Sequence, residues 1–179
     1  MEFVTQKSYL DKAWLESKLP GGEKVVSVAP RDQEKLGGMS ADIIFIDAKM
    51  ASGKNLPLIV KKSPDDLTQL RVATGTAREA LFYQKFSTKL GDIVVKAYYT
   101  HANMETGEMA ILMDCCVNAI PLGVFFGASN PNNWSVKDKV EVMSEGNPGP
   151  KEASRAAFSL YAKLHGEYWQ DESLKGKSF

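Results

Sequence analysis

With 179 residues and 44% hydrophobic content, the chain can bury one sizeable core, or one core and part of a second. Acidic and basic residues balance at 22 each, which excludes the global basic footprint of a nucleic-acid binder. The opening "MEFVTQKSYLDK" lacks the basic-then-apolar pattern of a signal peptide, and no apolar run approaches the roughly 18 residues of a membrane span.

In chain order, Leu10, Trp14, Leu15 and Leu19 recur at helical spacing. Ser8 is expected to cap that helix, with Asp11 three residues later, and "PGG" from Pro20 ends it. "KVVSVAP" reads as a short strand. "EKLGGMSADIIFID" then gives a glycine turn leading into an apolar, β-branched run, "MASGKN" turns the chain, and "LPLIVKK" returns it. These three strands suit an antiparallel meander. A helix follows, with Thr76 and Glu79 as a T-x-x-E capping box and Phe82, Phe86 and Leu90 as its apolar stripe. "DIVVKAYYTH" and "EMAILMDCC" read as two strands joined by a hairpin at "ETGE". The expected order is three strands, one helix, two strands.

Beyond Cys116 the texture changes. "GASNPNNW" and "SEGNPGP" are loop-forming, and "SVKDKVEVM" between them is a modest helix with a Ser135–Asp138 cap signal. From Pro150 a stronger helix runs through Ala153, Ala157, Leu160, Leu164 and Tyr168. Its apolar face calls for a partner that "DESLKGKSF" does not supply: either it packs on the first lobe or a second lobe is missing, and the chain reads as the front part of a longer protein. The division that follows is an N-terminal helix at 1–21, a lobe at 22–116, a linker with an insertion-like stretch at 117–150, and the start of a helical region at 151–179.

Cys115 and Cys116 are adjacent and cannot staple distant segments; they read as reduced thiols of a cytoplasmic protein. Two histidines, far apart, cannot assemble a zinc site with them. "LGGMSAD" sits between strands, which argues against dinucleotide and Walker loops, since both need a helix directly behind the glycines. It is either an ordinary turn or one whose N–H groups approach phosphates. Lys61 and Lys62 end a strand and must point to opposite faces. Either both snorkel into water, or one is aimed into a cleft. Glu79 lies three, seven and eleven residues before Phe82, Phe86 and Leu90, so it heads the stripe and faces the sheet. A carboxylate there could fix a strand-end lysine, and a fixed lysine can pair phosphates as a compact point charge.

The ordered set "DKAWLESKL", "LGGMSADIIFI", "LPLIVKK", "TAREALFYQKF", "METGEMAILMDCC" and "AAFSLYAKLHGEYWQD" resembles the aminoglycoside phosphotransferase and choline-kinase-like group, including its ecdysteroid-kinase-like branch. The resemblance implies an α+β fold: a protein-kinase-like small lobe, with a five-stranded antiparallel sheet and one packed helix, followed by the first helices of a truncated helical large lobe. It implies a kinase-like function, transfer of the ATP γ-phosphate to a hydroxyl of a small substrate, with this chain supplying the nucleotide-grasping half. Lys61 then matches the lysine that grips the α- and β-phosphates, Glu79 its helix partner, and Gly37, Gly38 and Ser40 the phosphate-covering turn. Lys62 becomes a solvent-facing neighbour. "ILMDCC" matches the hinge, where backbone atoms near Asp114 and Cys116 would meet adenine. The partners implied are a nucleotide and a small hydroxyl substrate, with no nucleic acid and no membrane.

The family's His-x-Asp-x-x-x-x-Asn loop and its later acidic motif do not appear, so no catalytic residue is assigned and the Mg²⁺ ligands are expected in the missing large lobe. "HGEYWQDE" comes nearest, but it places Glu167 and Glu172 where Asp and Asn belong, and His165 reads as a structural, hydrogen-bonded histidine. Two rivals share these features: a catalytically inactive truncated or pseudokinase binding module, and an unrelated α+β protein. A salt bridge between Lys61 and Glu79 separates the kinase-like reading from the second rival.

Overall fold

The computed structural model describes residues 7–31, 41–64, 68–117 and 149–176. Helix α1, Lys12–Lys18, starts at Asp11, whose carboxylate accepts the Trp14 N–H at 2.7 Å. The cap is therefore Asp11 and not Ser8. Ser8–Leu10 forms a separate 3-10 turn, and the chain extends again at Asp11 before the helix begins. Leu15 is fully buried beneath α1, with Tyr9 and Leu19 close to it.

Five strands follow: β1 (Val25–Pro30), β2 (Asp42–Met50), β3 (Asn55–Lys62), β4 (Ala97–Asn103) and β5 (Glu108–Asp114). All pairings are antiparallel and the order is β1-β2-β3-β5-β4. The first three strands form the expected meander. The β4–β5 hairpin joins it through β5, which becomes an interior strand. Asn103 Oδ1 opens that hairpin by accepting the N–H groups of Glu105 and Thr106. Gly107 completes it at φ 69°, where a Cβ would come within 2.6 Å of the Arg71 backbone; both the conformation and the space demand glycine.

The sheet is apolar on both faces. Ile46, Ala48, Leu58, Val60, Ala110 and Leu112 pack with Tyr9, Leu15 and Leu19 on one face, so α1 covers that side. Met109, Ile111 and Met113 pack with Ala77 and Ala80 on the other. Burial on both sides explains the unbroken apolar run "MAILM" in β5, where a one-sided strand would alternate.

Among the described residues two helices, not one, separate β3 from β4. The first, α2 (Thr68–Thr74), has no apolar stripe: Leu70 and Val72 are exposed. It is anchored by Arg71, which is buried and donates to the Pro64 carbonyl and to the Thr68 hydroxyl. The second, α3 (Arg78–Leu90), lacks the expected capping box. With α2 directly ahead of it, the Thr76 hydroxyl pairs with that of Thr74 at 2.8 Å, and Glu79 is drawn to Lys61. The core-facing side of α3 is also displaced. Ala77, Ala80 and Tyr83 meet the sheet, and their small alanines allow close approach; Phe82 and Phe86 are half-buried and stack on each other at 5.4 Å.

Residues 1–116 form one compact unit and 117–178 another. The N-terminal helix thus belongs to the same unit as the sheet. In the second unit α4 runs Pro150–Tyr168 with proline in its first turn, as expected. Ala153 is buried, Ala157, Leu164 and Tyr168 are half-buried, and Leu160 is exposed. The expected Ser135–Asp138 helix lies outside the described residues.

Candidate functional site

Lys61 stands next to last on β3, opposite Ile43 of β2 and Ile111 of β5. Alternation along β3 places it on the face of Ile59, and register adds Phe45 and Met113 to that face. This is the side covered by α3. Glu79, in the first turn of α3, meets Lys61 across the gap: Lys61 Nζ donates to Glu79 Oε2 at 2.6 Å. The two side chains are 25% and 39% exposed. An ion pair this wet contributes only about 0–1 kcal/mol to folding. Its clearer effect is positional. It holds a flexible ammonium at the edge of an apolar sheet face, with the carboxylate also favoured by the N-terminal end of the helix dipole.

Lys62 departs from expectation. Its side chain is only 13% exposed, and it pairs with Asp42 Oδ2 at 3.4 Å. β2 extends to Asp42, directly opposite Lys62, so the strand end is covered by a neighbour instead of opening to water. The two lysines thus differ in face and partner, and the more water-accessible one is Lys61.

At the far end of β5, Asp114 uses its carboxylate to accept the Tyr98 hydroxyl at 2.5 Å. Burial, followed by this acceptor, pushes the Tyr98 hydroxyl pKa far above its ordinary value. The Asp114 N–H goes to the Lys96 carbonyl at 3.0 Å and the Cys115 N–H to Pro57 at 3.1 Å. Cys116, exposed, is the first position past these sheet bonds. Gly37, Gly38 and Ser40 lie outside the described residues.

Three residues that no sequence pattern singled out share the Lys61 face. Arg31 lies over the Phe45 ring at 5.5 Å, donates to Cys115 Sγ at 3.2 Å and approaches Asp47 at 3.9 Å. Arg31 and Cys115 are 84 positions apart, so only the folded sheet brings them together. Tyr83 borders Glu79, and its hydroxyl is pushed up by burial first and by Glu79 and Cys116 second.

A cleft of about 640 Å³ opens beside this site, lined by Ser87, Thr88, Asp92, Val95, Lys96 and Asp114 among others. Lys61 and Glu79 are not in its lining; it meets the site only through Asp114.

Of the "HGEYWQDE" stretch, His165 and Glu167 lie within α4, and Glu172 pairs with Lys175 at 2.5 Å. His165 is exposed and stands edge-on to Tyr161 at 6.4 Å. Among the described residues no group of three or more His, Cys, Asp or Glu side chains is placed to hold a metal ion. No described helix is long and apolar enough to cross a membrane. No family model, no curated protein and no solved structure matches the chain.

Proposed function

We propose that residues 22–116 are the nucleotide-holding small lobe of a kinase-like phosphotransferase acting on a small hydroxyl substrate. The observation that carries the reading is the Lys61–Glu79 ion pair at 2.6 Å, formed between the third strand and the helix packed behind it. In protein kinases a third-strand lysine paired with a helix glutamate holds the nucleotide phosphates. The donor set here fits that task. Lys61 offers three donors and a full charge, is still a quarter exposed, and sits beside an apolar surface of Ile59, Phe45 and Met113. Pro57, whose carbonyl accepts the Cys115 N–H, stands at the opposite end of that surface, where a planar base would meet backbone atoms near Asp114 and Cys116.

Bound MgATP would supply the transferable phosphoryl group. The chain's own residues orient it: Glu79 fixes the ammonium, Lys61 neutralises phosphate charge, and the sheet face excludes water from the base. Phosphoryl acceptor and metal ligands belong to residues not assigned here.

The test is a thermal-unfolding titration with MgATP. A ligand at about 100 times its dissociation constant stabilises by about 2.7 kcal/mol. Wild type should shift upward with MgATP and Lys61→Met should not. Equal shifts in both would remove Lys61 from the nucleotide site.

A further inference from the structure

Arg71 takes no part in the lysine–glutamate pair. It is only 6% exposed, and no other charged residue among the described ones is buried as deeply. Its guanidinium reaches two neutral acceptors: Nη1 donates to the Pro64 carbonyl and Nη2 to the Thr68 hydroxyl at 2.7 Å. Its Nε is buried without a hydrogen-bond partner among the described residues. No described carboxylate stands within ion-pair distance of it. A buried charge without an opposite charge is costly, and an arginine keeps its charge inside a protein. The arrangement is one anion short. The side chain in reach of the fork is Thr68, which is itself exposed. The neighbouring hydroxyls of Thr74 and Thr76 instead bond each other and backbone carbonyls of α2. Thr68 alone joins a solvent-accessible hydroxyl to the buried cation.

We propose that Thr68 is a phosphorylation site and that Arg71 receives its phosphate. The Thr68 hydroxyl oxygen attacks the γ-phosphorus of ATP held by a protein kinase. An oxygen–phosphorus bond forms, the bond to the bridging oxygen breaks, ADP leaves, and the hydroxyl proton passes through that enzyme's base to solvent. The product carries a charge of about −1.5 to −2 near neutral pH, and its oxygens match paired N–H groups of a guanidinium. Arg71 is already tied to its surroundings on three sides. It holds Pro64 just past β3, its carbonyl accepts the Thr76 N–H just ahead of α3, and Gly107 of the β4–β5 hairpin lies against its backbone. A phosphate seated on Arg71 therefore stiffens the link between the strand of Lys61 and the helix of Glu79. Any effect on MgATP rests on the proposed nucleotide site; the phosphate–arginine pair does not.

The experiment has two stages, both on the full chain. Incubation with MgATP and an acid-directed protein kinase, followed by peptide mass spectrometry, should place phosphate on Thr68, which follows Asp65 and Asp66 in sequence; its absence there overturns the assignment. The second stage compares the unmodified chain with one carrying phosphothreonine at position 68. Phosphorus NMR follows the second phosphate ionisation in the folded chain and in urea. The folded midpoint should lie about 1 unit lower, because the guanidinium favours the dianion. The unfolding temperature near neutral pH should rise by about 2–4 °C. Arg71→Gln should cancel both effects, and where that variant fails to fold, the titration of the wild-type sequence decides alone. A phosphate that titrates alike in the folded and urea-unfolded chains, or a lowered unfolding temperature, overturns the proposal. Asp65 and Asp66 lie outside the described residues; a carboxylate that already matched Arg71 would repel the phosphate and give the lowered temperature. MgATP affinity separates the two readings: a paired phosphate that leaves it unchanged counts against the nucleotide site and leaves the phosphate site standing.

Discussion

The two faces of the sheet are built to different rules. On the α1 face Leu15, Ile46, Leu58, Val60 and Leu112 are essentially inaccessible to water and interlock as an apolar layer, with Lys62 and Asp42 paired at the strand end. The α3 face has an apolar centre of Ile111, Met113 and Phe45, but charged groups stand at both ends: Lys61 with Glu79 at one, Arg31 with Asp47 and Cys115 at the other. Partly exposed ion pairs add little to folding, whereas buried leucines add a great deal. The α1 face therefore carries much of the stability, and the α3 face is the one we propose for nucleotide binding.

The strongest way to break that division is to empty the α1 face. Leu58→Ala or Leu112→Ala should cost about 2–5 kcal/mol, since both side chains are fully buried and leave a cavity. Urea unfolding would read it, and whatever fraction stays folded should still be stabilised by MgATP. On the other face the pattern reverses: Lys61→Met should change stability by no more than about 1 kcal/mol while removing most of the MgATP-induced shift. Glu79→Gln keeps a hydrogen-bonding side chain beside Lys61 and should weaken MgATP binding less than Lys61→Met, read by the same titration.

The smallest effect is an alkaline one. The Tyr98 hydroxyl is held protonated in the folded state by burial and by Asp114. Its folded pKa exceeds the unfolded value, so the folded state retains a proton that the unfolded state releases above about pH 10. The stability this provides is complete below that pH and is lost as pH rises toward the folded pKa. Tyr83 and Tyr99 are displaced the same way, each chiefly by burial. Tyr98→Phe should therefore flatten, without abolishing, the fall in stability above about pH 10 in a series of denaturant melts. An unchanged slope would show that Tyr98 titrates alike in both states.

What could be read from the sequence follows from which forces leave a local pattern. The strands were legible because β-branched runs and turn residues bound them. Lys61 and Glu79 were legible because alternation orients one and helical spacing the other. Helix α2 was not, because a buried arginine holds it in place of an apolar stripe, and periodicity cannot register a single polar anchor. The cap on α3 was misread because Thr76 and Glu79 both found partners outside their own helix turn. Lys62 was assigned to water because its partner Asp42 comes from the register of a neighbouring strand, which no single strand encodes. Arg31 and Cys115 meet for the same reason, at far greater separation.

The central claim is that the Lys61–Glu79 pair positions a charge more than it stabilises a fold. A double-mutant cycle over Lys61→Met and Glu79→Gln, measured once for urea stability and once for MgATP affinity, tests it most directly. The predicted result is a coupling below about 1 kcal/mol in stability and a clear coupling in affinity. Substantial coupling in stability, with MgATP affinity equal in all four proteins, would contradict it.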